Sequence, residues 1–209
     1  MFHKIVERKI VTSRHYLIYI VAGLVLFAAV IVNLSLHTWF SYCLWNYGLV
    51  YGSSHHDYSY HFSDESSLAD IKSDACGSIR DDIQRECPRF CDYINYFMSA
   101  GGIMLFCGIA SLIFLLFSVF FHYWKKDKPS FHMKGIWVFV CFPSAFYIIG
   151  LVLYCIVGDF ANLETTDKGK DDVKDFEMKG GLIMAIVLCA MHLALMTYSL
   201  LTTIKSFFN

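Results

Sequence analysis

The residues of this chain with reactive side chains are its eight cysteines and nine histidines, and their positions divide them. Cys43, Cys76, Cys87 and Cys91 lie in one polar stretch, residues 37–96, whereas Cys107, Cys141, Cys155 and Cys189 lie in long apolar runs. An even number of thiols in a loop facing an oxidising compartment predicts two disulfides; four free thiols in a reducing compartment are the alternative. Four cysteines allow three connectivities. If residues 68–89 form one helix, Cys76 and Cys87 stand about 16 Å apart at ~1.5 Å per residue, too far to bridge. A link from Cys43 to Cys87 or Cys91 is then favoured. Thiol–disulfide catalysis would call for a Cys-x-x-Cys pair. Cys87-Pro88-Arg89-Phe90-Cys91 instead puts three residues between its cysteines, so a small membrane thiol-redox enzyme is a minor alternative. Cysteines in apolar runs behave as small hydrophobes.

The histidines are less informative. His55, His56 and His61, with Asp57, form a tract of a kind that ligates zinc. Adjacent histidines at loose spacing are nonspecific, so no metal and no other cofactor is assigned. A glycine-rich phosphate loop, a nucleophile elbow and paired intramembrane carboxylates are all lacking, and a non-enzymatic protein is expected.

These residues are positioned by four apolar runs, 16–36, 97–121, 135–157 and 180–204. None contains Asp, Glu, Lys or Arg, so all 35 charged residues fall outside them. The run 97–121 is ~37 Å long as a helix, enough to cross a hydrocarbon core of about 30 Å with some tilt. Backbone groups in lipid must be satisfied within the element, which predicts helices, and the alternating ten-residue segments of a barrel are absent. The fold class is therefore an all-α membrane protein. It is a single domain, 1–209, with four transmembrane helices and a small disulfide-bonded layer of short strands plus a helix from the first outer loop. The first run is read as a retained span, since it is longer than a signal-peptide core and no Ala-x-Ala site follows.

Charge sets the expected orientation. Residues 1–15 are net +3 and 122–134 net +3, whereas 37–96 are net −5 and 158–179 net −3. Basic segments stay cytosolic. Segments 1–15, 122–134 and 205–209 are thus expected inside, with outer loops 37–96 and 158–179 outside, probing the medium beyond what is expected to be the plasma membrane. The basic loop 122–134 marks orientation and lipid headgroups, not nucleic acid.

Within the first outer loop, Trp39, Phe40, Trp45, Tyr47 and Tyr51 read as an aromatic apron at the membrane interface and as partner-contact residues. Gly48-Leu49-Val50-Tyr51-Gly52 reads as a short strand, and Leu68, Ile71, Ala75, Ile79 and Ile83 give a helical pattern over 68–89. Small residues let helices in lipid approach closely. Gly101, Gly102 and Gly108 of the second span, with Gly181 and Ala185 of the fourth, predict the tightest helix contacts between those two. Pro143-Ser144 predicts a kink in the third span, and His192 reads as a hydrogen-bonded packing residue.

This architecture resembles the claudin-like superfamily, which includes claudins, peripheral myelin proteins and auxiliary subunits of receptors and channels. Trp39 matches the tryptophan early in that family's first outer loop. Gly48-Leu49 matches part of its Gly-Leu-Trp, with Val50 in place of the tryptophan. Cys76 and Cys87 would be its cysteine pair, further along than usual, with Cys43 and Cys91 as additions. The resemblance implies a left-handed four-helix bundle with a β-rich layer, acting by contact. An accessory subunit of a membrane complex such as an ion channel or receptor is expected, with partners in membrane lipids and a heterologous membrane protein. A claudin-like junction or adhesion protein that forms homo-oligomers is the alternative.

Overall fold

The computed structural model describes residues 2–42, 45–54, 66–77, 90–125, 136–160 and 177–208. In chain order the elements are α1 (Phe2–Ser35), β1 (Phe40–Tyr42), β2 (Trp45–Tyr47), β3 (Tyr51–Ser54), β4 (Ser66–Ser67), α2 (Leu68–Cys76), α3 (Phe90–Lys125), α4 (Ile136–Val157), β5 (Glu177–Met178) and α5 (Gly180–Phe208). Among the described residues, four helices are long and apolar enough to cross a membrane, over Arg14–Ser35, Phe90–Trp124, Phe139–Val157 and Gly180–Ile204. Leu17, Phe106, Phe117, Phe120 and Ile156 are among the large apolar side chains they leave exposed. For a soluble protein such surface would be an aggregation hazard; in hydrocarbon it is the solvated face.

The chain forms two compact units. One comprises Met1–Val32, Gly108–Ile148 and Leu188–Asn209. Its described residues are helical. His15 Nδ1 lies 2.6 Å from the Tyr198 hydroxyl, and the Tyr19 hydroxyl 2.9 Å from Thr202 Oγ1, joining α1 to α5. Tyr19 meets His122 of α3 at 5.0 Å between ring centroids. Ser111 Oγ of α3 donates to the Pro143 carbonyl of α4 at 2.8 Å, and Phe114 stacks on Phe142 and Phe146. Ser144 Oγ lies 3.0 Å from His192 Nδ1, joining α4 to α5, and Tyr147 stacks on the same imidazole. Hydrogen bonds to a buried histidine and to backbone carbonyls thus occur where hydrocarbon offers no other partner. Helix α4 runs on through Pro143 as one helix from Ile136 to Val157.

The other unit comprises Asn33–Cys107 and Ile149–Val187. It holds an antiparallel five-stranded sheet in the order β4-β3-β2-β1-β5, with four strands from the first outer loop and β5 from the second. Phe40 pairs with Tyr47 and Met178, Tyr47 with Gly52, and Tyr51 with Ser67. Residues 48–50 are the turn between β2 and β3, not the strand expected there, because the Gly48 amide donates back to the Tyr51 carbonyl at 2.7 Å and reverses the chain. Helix α2 opens with a side-chain cap, the Asp70 amide donating to Ser67 Oγ at 3.2 Å. It stops at Gly77, whose φ of −95° and ψ of −86° are not helical. One continuous helix over 68–89 is therefore ruled out.

Gly101 and Gly181 do different work from that expected. A Cβ on Gly101 would fall on the Leu49 carbonyl, and one on Gly181 would fall 2.5 Å from Trp39 Cδ1. Both glycines thus admit the first outer loop rather than another helix. Gly102 is exposed, with nothing within 4 Å of a Cβ. Gly108 and Ala185 are buried. Two other glycines make close helix approaches, Gly23 of α1 on Val119 of α3 and Gly150 of α4 on Cys107 of α3.

The neighbouring glycines of α3 give opposite expectations. Gly101→Ala should lower thermal stability in mild detergent by about 1–3 kcal/mol through overpacking. Gly102→Ala should leave it unchanged or raise it by up to ~1 kcal/mol. Equal melting shifts for the two variants would contradict this packing.

Candidate functional site: the disulfide-bonded sheet

The sheet is built around aromatic rings. Phe97, near the start of α3, is surrounded by Phe40 at 4.8 Å, Tyr47 at 5.1 Å, Phe160 at 6.0 Å, Tyr93 at 6.1 Å and Tyr42 at 6.2 Å between centroids. Phe40 also stacks on its cross-strand partner Tyr47 at 4.9 Å. Each such pair adds roughly 0.5–1.5 kcal/mol beyond area burial. All three residues of β1 are buried, so the strand is covered on both faces.

Trp39 belongs to the same core. It is fully buried, flat against Gly181 and edge-on to Tyr154 at 5.2 Å. Its backbone is tied on both sides. The Trp39 amide donates to the Tyr47 carbonyl at 2.6 Å, and the Lys179 amide donates to the Trp39 carbonyl at 3.0 Å. The Gly181 amide donates to the Thr38 carbonyl at 2.9 Å, and Asn33 Nδ2 donates to the Gly181 carbonyl at 2.7 Å. The start of α5 is thereby stitched to the segment leaving α1. The Trp39 indole N–H and the Tyr47 and Tyr154 hydroxyls find no hydrogen-bond partner among the described residues. Packing therefore holds these rings. Burial, with Tyr42 nearby, keeps the Tyr47 phenol well above its usual pKa and neutral.

The aromatic apron is thus corrected. Trp39, Phe40, Trp45 and Tyr47 are buried core, not a contact surface, because the sheet folds their rings onto the ends of α3 and α4. Tyr51 remains outward at 53% exposure beside Val50 at 40%, both at the β2–β3 hairpin. That turn is fixed from behind: Leu49 sits over Gly101, the Leu68 amide donates to the Val50 carbonyl at 2.9 Å, and Leu68 and Ile71 pack over Gly52.

Cys76, at the end of α2, forms a disulfide with Cys91, in the first turn of α3, with Cα atoms 5.7 Å apart. This sets aside the Cys43–Cys91 link and the family-like Cys76–Cys87 pair, because α2 ends at Gly77 and the chain brings Cys91 to Cys76. Cys43, Cys87 and the histidine tract His55, His56 and His61 lie outside the described residues. Groups of three or more metal-ligating side chains are absent among the described residues. His122, the first residue after the apolar run 97–121, was not singled out from the sequence. It is fully buried, its Nδ1 2.6 Å from the Ser118 carbonyl and its ring close to Tyr16 and Tyr19. The four-residue step from Ser118 along the apolar run was the available signal.

Peptide mapping without reduction should recover Cys76 joined to Cys91, with Cys43 and Cys87 left as the second pair. Cys76→Ser and Cys91→Ser should each lower stability by about 3 kcal/mol, the figure for a loop of ~15 residues, and the double variant by no more than either alone. A free Cys76 thiol in the oxidised protein would contradict the pairing. Comparison with known proteins adds nothing to this geometry: no protein-family model matches the chain, and no curated protein is similar to it.

Proposed function

We propose that this chain is a non-enzymatic interaction protein of the membrane, an accessory subunit of a larger complex such as an ion channel or receptor. The observation that carries the reading is the rigid hairpin tip. Val50 and Tyr51 are held outward by a sheet whose interior is closed by aromatic packing and a disulfide. A preorganised aromatic–aliphatic tip loses little conformational freedom on docking, and Tyr is a frequent anchor in interfaces. In this reading the sheet faces outward from the plasma membrane, both termini are cytosolic, and the chain biases its partner's conformational equilibrium through differential contacts. A sheet with four of its five strands from the first outer loop is also in keeping with the β-rich layer, built mainly from that loop, that a claudin-like resemblance implies.

Purification from native membrane in mild detergent, followed by mass spectrometry, tests this. A heterologous membrane protein in fixed stoichiometry is expected. Tyr51→Ala with Val50→Ser should reduce its recovery at least tenfold, the factor for ~1.4 kcal/mol, while leaving the melting temperature within a few degrees. Ladders of this chain alone would overturn the reading in favour of a self-assembling junction protein.

A further inference from the structure

The helical unit carries a groove that neither the sheet nor the accessory-subunit reading uses. Leu17, Ile18, Val21 and Val25 of α1 line it with Met191 and Leu195 of α5. Its volume is about 420 Å³, within the roughly 300–1,000 Å³ usual for small-molecule sites. The lining is aliphatic apart from one thioether. Leu17, Val21 and Val25 are half or more exposed, so the groove opens outward from the helices.

Length and charge identify the occupant. From Leu17 to Val25 the groove runs about 12 Å at ~1.5 Å per residue, close to the depth of one leaflet of a ~30 Å core. It lies within the first candidate span, which begins at Arg14. Arg14 is exposed and lies three and four residues before Leu17 and Ile18, hence on the same helical face. It ends a segment, 1–15, of net charge +3. A basic headgroup site thus stands at the mouth of a leaflet-deep aliphatic channel. We infer that the groove binds one anionic glycerophospholipid of the leaflet on the basic side, with an acyl chain along Leu17–Val25 and its phosphate at Arg14. The polar pair at that end, His15 Nδ1 and the Tyr198 hydroxyl at 2.6 Å, joins α1 to α5 and holds the mouth at fixed width.

Native mass spectrometry of the full chain in non-ionic detergent tests this with phosphatidylglycerol and phosphatidylcholine of identical acyl chains. One retained phosphatidylglycerol is expected, bound about fivefold more tightly than phosphatidylcholine, the factor one basic side chain supplies at an anionic surface. Arg14→Gln should bring the two lipids to parity. Val21→Trp, which fills the groove, should weaken both, whereas Leu24→Trp, elsewhere on the same helix, should weaken neither. Should V21W fail to fold, Ala22→Leu, at a residue that also lines the groove, is the smaller filling with the same expectation. Equal binding of the two lipids by the unmodified chain, or equal behaviour of the groove and Leu24 variants, would overturn the proposal. A photo-crosslinker at Ile18 in native membrane should yield a lipid adduct. A polypeptide adduct would overturn it by assigning the groove to a partner's helix.

Discussion

The contact between the Trp39 indole and the bare backbone of Gly181 fixes the rest of the sheet unit. Any side chain at 181 would occupy the space of the ring. With the ring seated there, the backbone on each side of Trp39 is in place to bond β2 and the segment leading into α5. The same seat explains why Asn33, buried at the end of α1, finds its partner in the Gly181 carbonyl. A buried amide without that acceptor would cost about 1–3 kcal/mol. One large-to-none complementarity thus sets the register of β1, and through β1 that of β2 and β5.

From that seat the aromatic core follows. With β1 registered, Phe40 faces Tyr47 across the hairpin and meets Phe97 on α3, while Tyr42 meets Tyr93 one turn earlier. The Cys76–Cys91 bond then fastens α2 to the first turn of α3. The Val50–Tyr51 tip stays outside this core.

The four spans were legible in the sequence because charge is excluded from hydrocarbon so strongly that 35 charged residues mark the boundaries by themselves. The sheet was less so. Strands of two to four residues are too short to display alternation, and β1 is covered on both faces, so there is none to read. Tyr and Trp suit a membrane interface and a wet-edged core equally well, which is why the rings of Trp39 and Tyr47 pointed outward on sequence grounds and inward in the fold. The disulfide turned on one residue. Apolar spacing carries the helical pattern past Gly77, while the backbone stops there and brings Cys76 to Cys91. Gly101 and Gly181 were recognised as sites of close approach, but small residues on a helix do not say whether a helix or a loop will come near. His122 lay at the end of an uncharged run, where burial and exposure look alike.

A double-mutant cycle on Trp39 and Gly181 tests the central contact most directly. Trp39→Phe and Gly181→Ala, singly and together, would be unfolded in mild detergent with tryptophan-independent detection. The seat predicts that the smaller ring makes room for the added methyl, so that the double variant is more stable than the sum of the single effects requires, by at least ~0.5 kcal/mol. Strict additivity would show that the two residues do not share that space, and the account of how the sheet is registered would fail.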